Sequence, residues 1–342
     1  MTARRQLFDD FPGWLSHTLA HPDTAPAGRS AILPDGSRIE LTGAGILRLV
    51  PATPVLGRRL MVSAGVHGNE TAPIEVLDRL VDQLLDGDWA PATETLLILG
   101  NPPAMVAGRR FLDHNLNRLF NGAHHQPVYA GAPEAARAAL LEQTCELFAQ
   151  GAEGLLHYDL HTAIRPSKRE KFALYPYLPG RQVPADQIRF LAASDVHTLL
   201  LQHKQGTTFS AFSASRLGAE SMTIELGRVQ PFGQNDLGRF AGIEHSLRQL
   251  IAGQDPGQDA RADAVVVFEV VEEILNTGEH FRFHIPDDVA NFTEYGPGEL
   301  IWEDRQQQYR VGDQPEAIVF PNRDVPVGHR VGLLVRQRPP LH

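Results

Sequence analysis

The stretch RLMVSAGVHGNETAPIEVLDRLVDQLL, Arg59 to Leu85, decides how this chain is read. Arg59-Leu60-Met61-Val62-Ser63-Ala64 is a short apolar run of the kind that forms a buried strand. Gly65 to Asn69 is a loop. From Ala72 to Leu85, Ile74, Leu77, Leu80, Val81 and Leu84 share one face of a helix. Strand, loop and helix in that order form the unit of an α/β fold, in which ligands gather at the carboxyl ends of the strands. The loop carries His67 and Glu70, three positions apart and so on the same side of a tight turn or first helical turn. Gly68 between them lets the backbone bend.

Outward from this unit the chain alternates further. Arg38–Thr42 and Leu47–Leu49 alternate polar and apolar residues, as short antiparallel strands do. Thr95–Gly100 and Leu155–Leu160 read as buried strands, and Thr198–Gln202 and Ser221–Glu225 as further ones. Pro133–Gln150 and Leu237–Ala252 have helical character. Gly253–Asp263, rich in Gly, Asp, Gln and Pro, is expected to be a linker or long turn. Beyond it Val265–Glu272 and Leu333–Arg336 read as strands, with the turn Gly296-Pro297-Gly298 between them. The expectation is an α/β catalytic domain over residues 1–258 and a smaller β domain over 264–342.

Composition narrows the function classes. The 342 residues are 42% hydrophobic and 21% charged, as in ordinary globular proteins. A net charge of -10 argues against nucleic-acid or anionic-membrane partners, so an anionic substrate would need a local basic pocket. The lone cysteine, Cys145, cannot form an internal disulfide and fits a reducing compartment. The first residues form no apolar signal region and no apolar run is long enough to span a membrane, so a cytoplasmic protein is expected. Composition leaves a homo-oligomer open.

About ninety residues after Glu70 comes Asp159-Leu160-His161. Two histidines and a glutamate, a local pair plus a distant partner, are the ligand set of a catalytic zinc that keeps one position open for water. On the strand, His157, Asp159 and His161 share a face. His157 and His161 are about 13 Å apart in Cα positions, too far to reach one ion together. His161, nearer the strand end, is the metal candidate. Asp159 is expected to position a ligand, and His157 to be a satisfied core or groove histidine.

Arg109-Arg110-Phe111-Leu112-Asp113-His114-Asn115-Leu116-Asn117-Arg118-Leu119-Phe120 packs donors into a stretch that is neither a clean helix nor a clean strand. Asn117 and Arg118 can hold a carboxylate through an amide donor and a bidentate guanidinium. Arg110 can supply a fixed charge to a carbonyl oxygen becoming an oxyanion. Glu225, at the end of the apolar Ser221–Glu225 strand, is placed to act as general base toward an attacking water and then as acid toward a leaving amine. Glu220 is its local competitor.

These motifs together resemble the succinylglutamate desuccinylase and aspartoacylase family. The resemblance runs in order through Ser63–Pro73, Ile98–Pro103, Leu116–Phe120, Asp159–Ile164 and Ile224–Gly227. Gly100–Pro103, His161–Ile164, Pro231–Asp236 and Asn291–Thr293 are similar to the desuccinylase branch in particular. The resemblance implies a zinc-carboxypeptidase-like mixed-sheet catalytic domain with an added C-terminal β domain. It also implies one zinc per chain and hydrolysis of N2-succinylglutamate to succinate and glutamate, the last step of arginine breakdown by the succinyltransferase route. By motif, His67, Glu70 and His161 match its zinc ligands, Glu225 its catalytic glutamate, and Arg110 its carbonyl-polarising arginine. Asn117 and Arg118 match its carboxylate-binding pair. One departure stands out: the family is usually acidic two residues before this asparagine, where this chain has Asn115. Rival expectations are a deacylase for another N-acyl amino acid, a zinc carboxypeptidase, and a non-catalytic binding protein on the same scaffold.

Overall fold

The computed structural model describes residues 2–24, 28–55 and 57–339. Two short helices, α1 (Ala3–Phe8) and α2 (Trp14–Ala20), precede the meander β1 (Arg29–Ile32), β2 (Arg38–Gly43) and β3 (Ile46–Val50). The deciding stretch folds as β4 (Arg58–Ala64) and α3 (Thr71–Asp86). There follow β5 (Thr95–Leu99), α4 (Pro102–Val106), α5 (Pro133–Ala149), β6 (Gly154–Ala163), β7 (Phe172–Tyr175) and α6 (Ala185–Ala193). Next come β8 (Thr198–Leu201), α7 (Phe209–Arg216), β9 (Glu220–Arg228) and α8 (Ala241–Ile251). The remainder is all β: β10 (Val266–Leu275), β11 (Arg282–Phe283), β12 (Thr293–Tyr295), β13 (Leu300–Glu303), β14 (Gln308–Arg310), β15 (Glu316–Val319) and β16 (Arg330–Arg338).

Among the described residues one thirteen-stranded mixed sheet runs in the order β1-β2-β3-β5-β4-β6-β9-β7-β8-β10-β16-β15-β12. Its centre, β5-β4-β6-β9, is parallel. These strands are covered on both faces and are therefore nearly continuous runs of buried residues. On β6, Leu156, Tyr158 and Leu160 enter the core that holds α3, while His157, Asp159 and His161 lie buried on the other face. On α5, Ala138, Leu141, Cys145 and Phe148 pack into the core on that second side, at helical spacing.

The β1–β3 meander belongs to the same sheet, because β3 pairs with β5. The C-terminal strands are joined to it as well. β10 pairs in parallel with β8 and antiparallel with β16, so the sheet continues past the 253–263 turn. The expected helix over 237–252 is instead a 3-10 turn, Leu237–Phe240, followed by α8. Asp236 caps that turn by accepting from the Gly238 amide, which competes with a straight helical start.

Candidate metal centre

Two glycines let the β4–α3 loop fold over the sheet edge. Gly65 has φ +66, and a Cβ there would lie 2.1 Å from the Met105 Cε. At Gly68 a Cβ would lie 2.2 Å from the Ala104 carbonyl carbon, so only glycine admits the backbone of α4 so closely. The loop thus turns His67 inward, and Glu70 sits at the start of α3.

His67, Glu70 and His161 converge, each offering a ligand atom within 4.8 Å of the others. All three are buried. Glu70 Oε1 lies 2.9 Å from His67 Nδ1, and Oε2 lies 2.9 Å from His161 Nδ1. Glu70 also accepts from Arg110 Nη1 at 2.6 Å and from the Thr162 amide at 3.0 Å.

The far nitrogens of the two histidines set their tautomers. Asn115 Oδ1 accepts from the Asn117 amide at 3.0 Å, which identifies that atom as oxygen; at 2.9 Å from it, His67 Nε2 must be a donor. His161 Nε2 lies 2.8 Å from Asp159 Oδ2 and donates to it. In the neutral form that binds a metal, both imidazoles therefore turn an Nδ1 lone pair toward Glu70 and the space between them. His67 Nδ1 is buried without a hydrogen-bond partner. An orphaned nitrogen, a second lone pair and a carboxylate, converging and backed by acceptors, fit a divalent metal of borderline softness such as zinc.

The support behind Asp159 is a directed chain. Ser63 Oγ donates to Asp159 Oδ1 at 2.6 Å and lies 2.9 Å from His157 Nε2; His157 Nδ1 lies 2.7 Å from Ser213 Oγ. Burial pushes His157 down to about 4, so it is neutral, donating to Ser63 and accepting from Ser213. His157 is thus a satisfied core histidine. Burial acts against the Asp159 carboxylate, but His161 and the other donors hold it below its usual range.

Glu225 stands on β9 in register with His161 on β6. Its Oε2 is buried with no hydrogen-bond partner. Burial, then the neighbouring Glu70 charge, pushes Glu225 up to about 7. A carboxyl poised near neutrality beside a metal-ligand set suits proton transfer. Glu220, the competitor, lies five residues back opposite Leu156 and is held by Tyr175 and Arg181.

Asn117 and Arg118 ride on the 3-10 turn Leu116–Arg118, anchored by buried Leu116, Leu119 and Phe120. Asn117 Oδ1 accepts from the Phe209 amide at 2.9 Å, so its Nδ2 faces the His161 side, 3.5 Å from Nε2. Two donors at that distance do not bond, which leaves the amide N–H groups for a ligand. Arg118 Nη1 donates to the Asn117 carbonyl at 2.8 Å; its side chain is open to solvent at a point ringed by protein. That crowding, then the Arg330 and Arg110 charges, lowers it to about 10, still cationic at neutral pH. Arg216 ends α7, exposed.

Sequence reasoning did not foresee Ser63 and His157 as the backing of Asp159. For Asn115 the signal was present as an unusual residue, without its role.

A His–Glu–His cluster at the carboxyl edge of a mixed parallel sheet, with an unpaired carboxyl on the adjacent strand, defines a hydrolase built to hold a metal. Family models agree: residues 56–251 match the succinylglutamate desuccinylase/aspartoacylase catalytic domain, and residues 263–338 match the AstE/AspA barrel-sandwich hybrid domain. The chain belongs to the succinylglutamate desuccinylase/aspartoacylase family. It is 43% identical over 318 residues to the succinylglutamate desuccinylase of Pseudomonas paraeruginosa PA7, covering 91% of this chain and 94% of that one. It is 41% identical over 343 residues to that of Shewanella denitrificans, covering 98% of each. Among solved structures, the succinylglutamate desuccinylase of Chromobacterium violaceum superposes with a TM-score of 0.85 at 35% identity, covering 96% of this chain and 98% of that one. The more distant murine aminoacylase 3, at 19% identity, 83% and 96% coverage and a TM-score of 0.55, shares the fold. Among the described residues no helix is long and apolar enough to cross a membrane.

Proposed function

We propose that this chain hydrolyses N2-succinylglutamate to succinate and glutamate, as a zinc enzyme of arginine breakdown by the succinyltransferase route. The observation that carries the chemistry is the pair of inward-facing Nδ1 atoms around Glu70, with the unpaired Glu225 carboxyl in register beside them. The substrate reading rests on relatives called succinylglutamate desuccinylase at 41–43% identity over nearly the whole chain.

His67, Glu70 and His161 would hold zinc, which when bound supplies Lewis acidity, lowering the pKa of water toward about 7 and polarising a carbonyl oxygen. Glu225 takes a proton from the attacking water. The water oxygen bonds to the succinyl carbonyl carbon, and Arg110 stabilises charge developing on the carbonyl oxygen. The carbon–nitrogen bond breaks as Glu225 passes the proton to the glutamate nitrogen. Asn117 and Arg118 hold the glutamate α-carboxylate. Residues 1–258 act as the catalytic unit and 264–342 as the smaller β unit. A cytoplasmic enzyme is consistent with the buried free Cys145. Metal analysis with turnover of succinylglutamate beside acetylaspartate tests this reading. Zinc near one equivalent and a clear preference for succinylglutamate are expected; preference for acetylaspartate would assign the chain to the other chemistry of its family.

A further inference from the structure

We propose that Arg330, carried on the C-terminal part, is a second carboxylate-binding arginine of the substrate pocket and takes a carboxylate other than the one held by Asn117 and Arg118. The inference rests on the reading of the substrate as an acyl amino acid with several carboxylates.

Arg330 opens β16 and pairs with Leu275 at the end of β10. Two residues back on β10, Glu273 is bound by Lys204 and approached by His203 at 3.6 Å. His203 and Lys204 begin the loop that leads into α7. The same loop is tied to the segment carrying Asn117 and Arg118. Thr207 O accepts from the Phe120 amide at 3.2 Å, Gly206 O accepts from Asn121 Nδ2 at 3.3 Å, and Asn117 Oδ1 accepts from the Phe209 amide. One loop therefore fastens the β10–β16 end beside the carboxylate-binding turn. Consistently, Arg330 is the charge that acts most strongly on the Arg118 guanidinium, ahead of Arg110.

The two arginines are short of counter-charge. Arg330 is half-buried, and among the described residues its side chain has no hydrogen bond or ion pair; the Arg118 guanidinium has only the Asn117 carbonyl. Glu273, the acid that opposes the burial cost on Arg330, is already engaged by Lys204. Two other half-buried arginines have acceptors of their own. Arg137 donates to the carbonyls of Gly100, Ala44 and Leu99, and Arg336 pairs with Glu316 at 2.7 Å. Two neighbouring guanidiniums with spare donors, near one acid that is already bound to Lys204, are an arrangement that an anion with more than one carboxylate completes. It also gives the C-terminal part a reason to be joined to the catalytic sheet: it delivers a reader of the substrate.

The test uses the full-length zinc-loaded enzyme and the variants Arg330→Gln and Arg330→Lys. The substrates are succinylglutamate, acetylglutamate, succinylglutamine and the α-amide of succinylglutamate. Arg330→Gln should raise KM for succinylglutamate on the order of 30-fold or more, the loss expected on truncating one partner of a desolvated charge pair. One analogue, the one lacking the carboxylate that Arg330 reads, should be indifferent to the substitution, with its KM changing less than about twofold. Arg330→Lys should recover part of the loss, and zinc content and melting temperature should not change. The proposal is overturned if Arg330→Gln leaves every KM within twofold, or raises all of them equally, or if the indifferent analogue is the α-amide. Wild-type turnover alone judges the reading of the reaction. Should wild type prefer another acyl amino acid, the same variant-to-wild-type ratios are measured on that substrate and its analogues lacking one carboxylate.

Discussion

Asn115→Ala is the perturbation that most sharply separates this site from a loose collection of ligands. Asn115 Oδ1 accepts two hydrogen bonds, from His67 Nε2 at 2.9 Å and from the Asn117 amide at 3.0 Å. The first fixes the tautomer and ring angle of His67, a proposed metal ligand. The second braces the turn that presents Asn117 and Arg118. Alanine removes both. Each bond is worth about 1 kcal/mol net, and loss of an outer partner of a ligating histidine weakens metal binding by about 10–100-fold. Zinc affinity, measured by competition with a chromophoric chelator, should therefore fall by roughly that factor, and KM for succinylglutamate should rise. Asn115→Asp keeps an acceptor at the same place and, as Asp159 does for His161, adds a charge to the backing of His67. It should bind zinc at least as tightly as wild type. Unchanged zinc affinity in Asn115→Ala, or a loss in Asn115→Asp equal to that in alanine, would refute the tautomer argument.

Glu225→Gln should keep zinc but lose roughly two to four orders of magnitude in turnover, as for loss of a general acid–base group. Glu225 must be ionised to accept a proton, so activity should fall as pH drops through its pKa. That value is raised to about 7 by burial and by Glu70, and a bound dication pulls it back down. The acid limb of kcat/KM should therefore lie at or below about 7, and a limb far above it would contradict the assignment. Arg118→Lys should raise KM for succinylglutamate with zinc content unchanged, and should matter far less for the α-amide, because a lysine cannot reproduce a bidentate bond. Cys145 is buried with its thiol pushed far up by burial, so native protein should not react with a thiol reagent until it is unfolded.

Much of this was legible in the chain. The change from a continuous apolar run to helical spacing at Arg59–Leu85 marks β4 and α3, since a strand covered on both faces and a helix covered on one leave different patterns. The ligand candidates could be picked because they follow strands, and parallel strands deliver their ends to one edge. Other parts had no such contrast. α7, Phe209–Arg216, buries Ser210 and Ser213 among its apolar residues, because the Ser213 hydroxyl joins the polar chain behind His157 and the Ser210 hydroxyl pairs with Thr223. Its buried face is therefore not marked by hydrophobicity. β11 to β15 are only two to four residues long, too short for an alternation to stand out. The partnership of Asn115 with His67 spans 48 residues, and that of Ser63 with Asp159 spans 96. The second pair exists only once β4 and β6 lie side by side in register.

The central claim is a metal-dependent hydrolysis of one amide bond, and succinate release from succinylglutamate tests it most directly. The purified protein is assayed as loaded with zinc, after stripping with a chelator, and after zinc is restored, with acetylaspartate in parallel. The account predicts turnover that disappears on stripping and returns with zinc near one equivalent per chain, with acetylaspartate a poor substrate throughout. Succinate release that survives complete removal of metal, or faster turnover of acetylaspartate, would contradict it.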